Sequence, residues 1–138
     1  MKNSILGLGL FFLILSCQVE GELTKDTVEA PVEIQTSGLK YSGTFVSSPG
    51  ESVTGAVKIY SDKENLLYLD NVNTSGPDLK VYLSKTDKPT DFVNLGNFVK
   101  SKTQYDIPQG IDASIYKYVI IYCQQYSVIF GVAPLTKP

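Results

Sequence analysis

The chain of 138 residues has no histidine, no tryptophan and no arginine, and its one methionine is Met1. Each absence excludes chemistry. Without histidine there is no Ser-His-Asp or Cys-His nucleophile system. Histidine-ligated haem, Cys-x-x-Cys-His haem attachment and a blue copper centre built on His and Cys are excluded as well. Zinc would have to be held by one thiolate and carboxylates, a donor set foreign to the usual zinc sites. Asp62, Glu64, Asp87 and Asp91 lack the ligand spacing of an EF-hand calcium loop. The sequence therefore assigns no metal, and it names no cofactor. All positive charge is lysine, a point charge without the guanidinium fork that suits phosphates. With a net charge of −2, the basic footprint of a nucleic-acid-binding protein is missing.

Two cysteines are present, and they fall in very different surroundings. Cys17 ends the stretch MKNSILGLGLFFLILSC. Lys2 gives that stretch a positive start, and Ile5 to Leu15 give it an apolar core of signal-peptide length, too short for a typical membrane span. Ile14-Leu15-Ser16-Cys17 resembles a bacterial lipobox, in which a lipid is attached to the cysteine thiol and the signal is cut just before it. A lipoprotein signal peptide is thus expected at 1–17, with Cys17 as the lipid-attachment residue. The alternative is an ordinary secretory signal with an incidental cysteine. Acyl chains contribute about 0.8 kcal/mol per buried CH₂, and more than one chain makes anchoring stable. Gln18-Val19 lacks the aspartate that retains a lipoprotein at an inner membrane. The expected location is the bacterial cell envelope, at the outer membrane or cell surface, with the membrane as partner through the anchor.

Residues 18–37 carry Glu20, Glu22, Asp26, Glu29 and Glu33 against Lys25 alone. Pro31 and scattered polar residues leave no sustained period. This is the pattern of an acidic flexible tether; an export signal is the other reading of the acidic run. As a flexible coil of about 20 residues, such a tether reaches roughly 25 Å.

From Gly38 to Pro138 no helical period of useful length occurs. Short alternating runs are separated by turn residues about every ten positions, which predicts an all-β domain, an antiparallel β-sandwich of about eight strands. Strands are expected at Leu39 to Ser47, Val53 to Tyr60, Leu66 to Val72, Leu79 to Ser84, Phe92 to Phe98 and Gln104 to Ile107. Gly55 is a candidate bulge. Thr74-Ser75-Gly76-Pro77-Asp78 is a strong turn. A final hairpin is expected within Ile115 to Leu135, the most apolar and aromatic stretch outside the leader.

In that hairpin Lys117, Val119, Ile121 and Cys123 alternate with Tyr116, Tyr118, Ile120 and Tyr122. Gln124 and Gln125 interrupt the run, so Cys123 sits at a strand end beside a turn, where solvent could reach its thiol. Cys123 is either a small buried hydrophobe or a redox-active or ligand-holding thiol. A lone thiol is a liability in an oxidising envelope, which singles it out. Reactivity would need a nearby cation or helix N-terminus to lower its pKa, and Lys117 is the one cation on the predicted face. Tyr122 and Tyr126 read as packing residues, with hole transfer or sugar stacking as the alternative. Asp78 reads as a turn former, or as a residue lining the same end of the sandwich as Cys123.

The run SGPDLKVYLS, Ser75 to Ser84, resembles the central motif of the DM-thirteen domain, an extracytoplasmic family related to the DOMON group. Three further blocks are similar in order. They are Ser42-Gly43-Thr44-Phe45 with Val53 to Val57, Leu95-Gly96 with Gln104 to Pro108, and Val119 to Cys123 with Val128 to Ala133. Many members carry Trp beside the cysteine where this chain has Tyr122. The resemblance implies a β-sandwich and a redox or electron-transfer role around Cys123. Two functions are therefore expected from different classes. One is an envelope redox domain centred on Cys123, with adjacent tyrosines assisting and an unknown redox partner. The other is a non-enzymatic binding module for a glycan or protein ligand. No catalytic constellation marks a conventional enzyme.

Overall fold

Period-two alternation carries about half of the described residues into strands. A computed structural model describes residues 38–61 and 65–138. The expected signal peptide with Cys17, the expected tether, Asp62 and Glu64 lie outside the described residues. Nine strands follow in chain order: β1 (Leu39–Thr44), β2 (Val46–Ser47), β3 (Thr54–Tyr60), β4 (Leu66–Asn73), β5 (Leu79–Ser84), β6 (Phe92–Asn97), β7 (Gln104–Asp106), β8 (Tyr118–Cys123) and β9 (Val128–Pro134). They form two sheets, ordered β1-β3-β4-β7 and β2-β9-β8-β5-β6. Every pairing is antiparallel. The architecture is the expected sandwich.

The core forms where the inward faces meet. Val57 and Ile59 of β3, Leu67 and Leu69 of β4 and Tyr105 of β7 meet Leu79, Val81 and Leu83 of β5 and Val119, Ile121 and Cys123 of β8. Burying an aliphatic side chain of this size contributes about 1.5–3 kcal/mol, so this inward stripe supplies most of the driving force. Tyr105 is wholly buried, yet its hydroxyl is satisfied. It donates to the Asn97 carbonyl at 3.1 Å and accepts from the Val99 N–H at 3.3 Å.

Two departures from the sequence expectation have local causes. Leu39 to Ser47 is one alternating run but two strands. Phe45 turns into the core, its N–H bonds the Gly55 carbonyl at 3.0 Å, and the chain changes sheets so that Val46 pairs with Val132. Tyr116 does not share the outward face of β8. It precedes the strand, follows a single 3₁₀ turn at Ala113–Ile115, and packs into the core. Beyond β9, Ser42 and Thr136 exchange two backbone hydrogen bonds of 2.9 Å, which pairs the outer edge of β1 with the last residues of the chain.

β4 bends at a bulge. Thr54 pairs with Asn73 and Ala56 with Asp70, so Asn71 and Val72 stand together opposite Gly55. Gly55 has φ +104°, and a Cβ there would lie 2.6 Å from both the Asn71 oxygen and the Val72 Cα. These contacts are β4 backbone, which cannot swing aside as a side chain can. Gly55→Ala is expected to destabilise the domain by about 2–4 kcal/mol, read as a lowered urea midpoint with an unchanged m-value.

Burial pushes the Tyr105 and Tyr82 hydroxyls above their ordinary value of 10.0, and for Tyr105 the Val99 N–H partly offsets this. Groups raised in the folded state contribute stability that is complete below the unfolded value and is lost as pH rises through the folded one. Unfolding free energy is therefore expected to be insensitive to these tyrosines below about pH 10 and to fall above it. Tyr82→Phe with Tyr105→Phe should flatten that alkaline limb in a pH series of denaturant melts.

Candidate functional site

Cys123 closes β8, followed by a turn through Gln124 to Ser127. Its neighbours across the sheet are Leu79 at the start of β5 and Val128 at the start of β9. The phase of β8 sets where the thiol goes: Val119, Ile121 and Cys123 share the inward face. The thiol is buried, with 1% of the residue exposed, so the strand-end position does not open it to solvent. Sγ donates to the Pro77 carbonyl at 3.1 Å, a weak bond that gives an otherwise unpartnered donor its acceptor.

The Thr74–Asp78 turn is shaped for this contact. Pro77 presets φ for a turn. Asp78 takes the left-handed conformation at φ 49°, which Asp tolerates better than most residues. Its carbonyl accepts the Gln124 N–H at 3.1 Å. Successive carbonyls, Pro77 and Asp78, thus hold the side chain of Cys123 and the backbone of Gln124. At Gly76 a Cβ would lie 2.6 Å from the Phe130 ring, so the missing side chain lets that ring close over the turn. The Thr74 hydroxyl is buried without a hydrogen-bond partner, which costs about 1–3 kcal/mol in the segment that carries the thiol's acceptor.

Among the residues singled out by sequence, Asp78 and Cys123 come together at one end of the sandwich. Tyr122 faces the other side of the sheet, where it lies 5.3 Å from Tyr82, and Tyr82 stacks on Phe92 at 4.1 Å. Phe92 is 40% exposed, so these rings run from the strand that carries Cys123 to the surface. Tyr126 is 64% exposed, in the turn after β8. Lys117 precedes β8, and its ammonium donates to the Ser114 carbonyl at 2.8 Å, so it is not the thiol's cation. Asp87 and Asp91 are exposed. No group of three or more His, Cys, Asp or Glu that could hold a metal occurs among the described residues.

Sequence reasoning missed Lys80. Its ammonium pairs with the Asp78 carboxylate at 2.8 Å and also contacts the Asn97 side chain. Strand period did not announce the pair, because Asp78 stands in the turn before β5 at φ 49° while Lys80 belongs to the strand. Lys80 pairs with Tyr122, which puts its charge on the outer face, while the thiol points into the core. The acceptor role of the Pro77 carbonyl leaves no mark in sequence, since any residue supplies a carbonyl.

The profile of the family described as Electron transfer DM13 matches residues 44–135, two thirds of the chain. The chain belongs to this family. The DM13 match begins at the last residue of β1 and takes in the Pro77–Asp78 turn, the Lys80 ion pair and both strands of the final hairpin. Comparisons with curated proteins and with solved structures gave no match.

A buried thiol reacts with a bulky reagent only when the structure opens locally. Iodoacetamide is expected to modify Cys123 in the folded protein at least about 100-fold more slowly than in denaturant. Time-resolved intact mass measures both rates, and equal rates would show that the thiol is open.

Proposed function

We propose that this protein is held at the bacterial cell envelope by a lipid on Cys17, and that its DM13 domain transfers electrons through Cys123. The observation that carries this reading is the setting of the thiol. It is the free cysteine among the described residues, buried and held on the Pro77 carbonyl, inside a domain of an electron-transfer family. The leader pattern, with Cys17 where the apolar run stops, supports the anchor.

The chemistry open to one sheltered thiol is two-electron chemistry. A hydroperoxide oxidises the sulfur to a sulfenic acid and is itself reduced to an alcohol or water: R–SH + R′OOH gives R–SOH + R′OH. A partner thiol condenses with the sulfenic acid, releasing water and leaving a mixed disulfide. A second partner thiol attacks the partner's own sulfur, returns Cys123 as a thiol and leaves the partner as a disulfide. The dithiol loses the two electrons that the peroxide gained. Because Cys123 has no second cysteine in the domain, the resolving thiols come from the partner. Burial favours a small oxidant over a bulky one. It also favours a second reading, a non-enzymatic binding module for a glycan or protein ligand in which Cys123 only packs.

Intact mass of the mature protein tests these readings. The expected species starts at Cys17 and carries acyl chains. Exposure of the folded protein to hydrogen peroxide, removal of the peroxide and unfolding in dimedone is expected to add one dimedone at Cys123, with no adduct in Cys123→Ser. Folded protein that yields no adduct after this sequence, while a chain oxidised in denaturant does, would remove the redox role and leave the binding module. A mature chain without acyl groups would remove the anchor.

A further inference from the structure

A cleft of about 350 Å³ lies between the end of β4 and the segment joining β6 to β7, lined in part by Tyr68, Asn71, Asn73, Phe98, Lys100 and Lys102. That volume is within the range of small-ligand sites. The first wall is the β4 bulge, where Asn71 takes φ 51°, a conformation asparagine accepts more readily than most residues. Bulges re-aim side chains and often lie beside binding sites. The second wall is tied down along its length. The Phe98 N–H bonds the Leu79 carbonyl, the Lys102 N–H bonds the Val99 carbonyl and the Leu69 N–H bonds the Thr103 carbonyl, each at 2.8 Å. The Tyr105 hydroxyl bonds Asn97 and Val99 from beneath. The Lys102 ammonium rests 4.5 Å over the Tyr105 ring.

The cleft is lined by two lysines and no carboxylate. A concave surface of one sign concentrates counter-charged ligands. Two asparagines supply amide groups, the Asn71 Nδ2 already donating one hydrogen to the Asp70 carboxylate at 3.0 Å, and Tyr68 and Phe98 supply aromatic surface. We propose that this cleft binds a carboxylated sugar, a hexuronic acid unit. The carboxylate would meet Lys100 and Lys102, the ring hydroxyls Asn71 and Asn73, and the apolar C–H face of the pyranose an aromatic ring. The site rests on the binding-module reading, gives it a ligand class, and does not involve the thiol.

The test is a titration of the full chain in detergent with trigalacturonate, and with maltotriose as the neutral counterpart, followed by amide NMR. The expected result is a set of shifts centred on Asn71, Asn73, Phe98, Lys102 and Thr103 with trigalacturonate only, weakened by added salt. Lys100→Gln with Lys102→Gln is expected to weaken binding about tenfold, with the melting temperature held, since exposed lysines contribute little to folding. Cys123→Ala is expected to bind as the parent does. Equal shifts from both sugars would overturn the acidic class and leave a binding module standing. An absence of shifts at the cleft with either sugar would overturn the site itself.

Discussion

The pairing of β5 with β8 is the constraint on which the rest depends. These two strands stand in the interior of the five-stranded sheet, and their inward residues from Leu79 to Leu83 and from Val119 to Cys123 are buried without exception. Because side chains alternate strictly, a slip of one residue would turn that stripe to solvent and bring Lys80 and Tyr122 into the core. Burial thus fixes the register, and the register fixes which residues can meet at the strand ends. Cys123 opposite Leu79 leaves the thiol facing the carbonyl of a turn that ends one residue before β5.

Much of this was legible in the residues themselves. Alternation in Tyr118 to Cys123 identified the strand and separated its two faces, but only the fold shows that Val119, Ile121 and Cys123 are the inward stripe. Gly55 marked the place of the irregularity, because glycine inside an alternating run signals close backbone approach, but the bulged residues are Asn71 and Val72 on the partner strand. The change of sheet at Phe45 was not legible. A strand that passes from one sheet to the other keeps its alternation, and tertiary pairing alone decides where it crosses. Tyr116 was misplaced for the related reason that periodicity cannot say where a strand begins.

The candidate site divides along the same line. Proximity of Asp78 and Cys123 could be posed as a question from sequence, because both stand at strand ends, but only the fold decides which ends coincide. The turn that carries the thiol's acceptor is packed by Phe130 against Gly76, residues far apart in the chain. The cleft beside β4 is built almost wholly from such meetings. Its lysines sit in a stretch, Lys100-Ser101-Lys102, that reads in isolation as an ordinary polar connection. The buried hydroxyl of Tyr105 holds the backbone at Asn97 and Val99 just before those lysines, a role that a sequence pattern does not show.

The pairing of Ser42 with Thr136 gives the sandwich a polarity. It places the entry of the chain, at Gly38 and Leu39, beside its exit after Leu135, at the end where Tyr60 and Leu66 also lie. Cys123, Asp78 and the cleft are grouped toward the opposite end, with Thr54, Asn73 and Asn97. A domain held by whatever precedes Gly38 is therefore held by its foot. Its chemically distinctive groups stand at the head, a strand's length from Gly38.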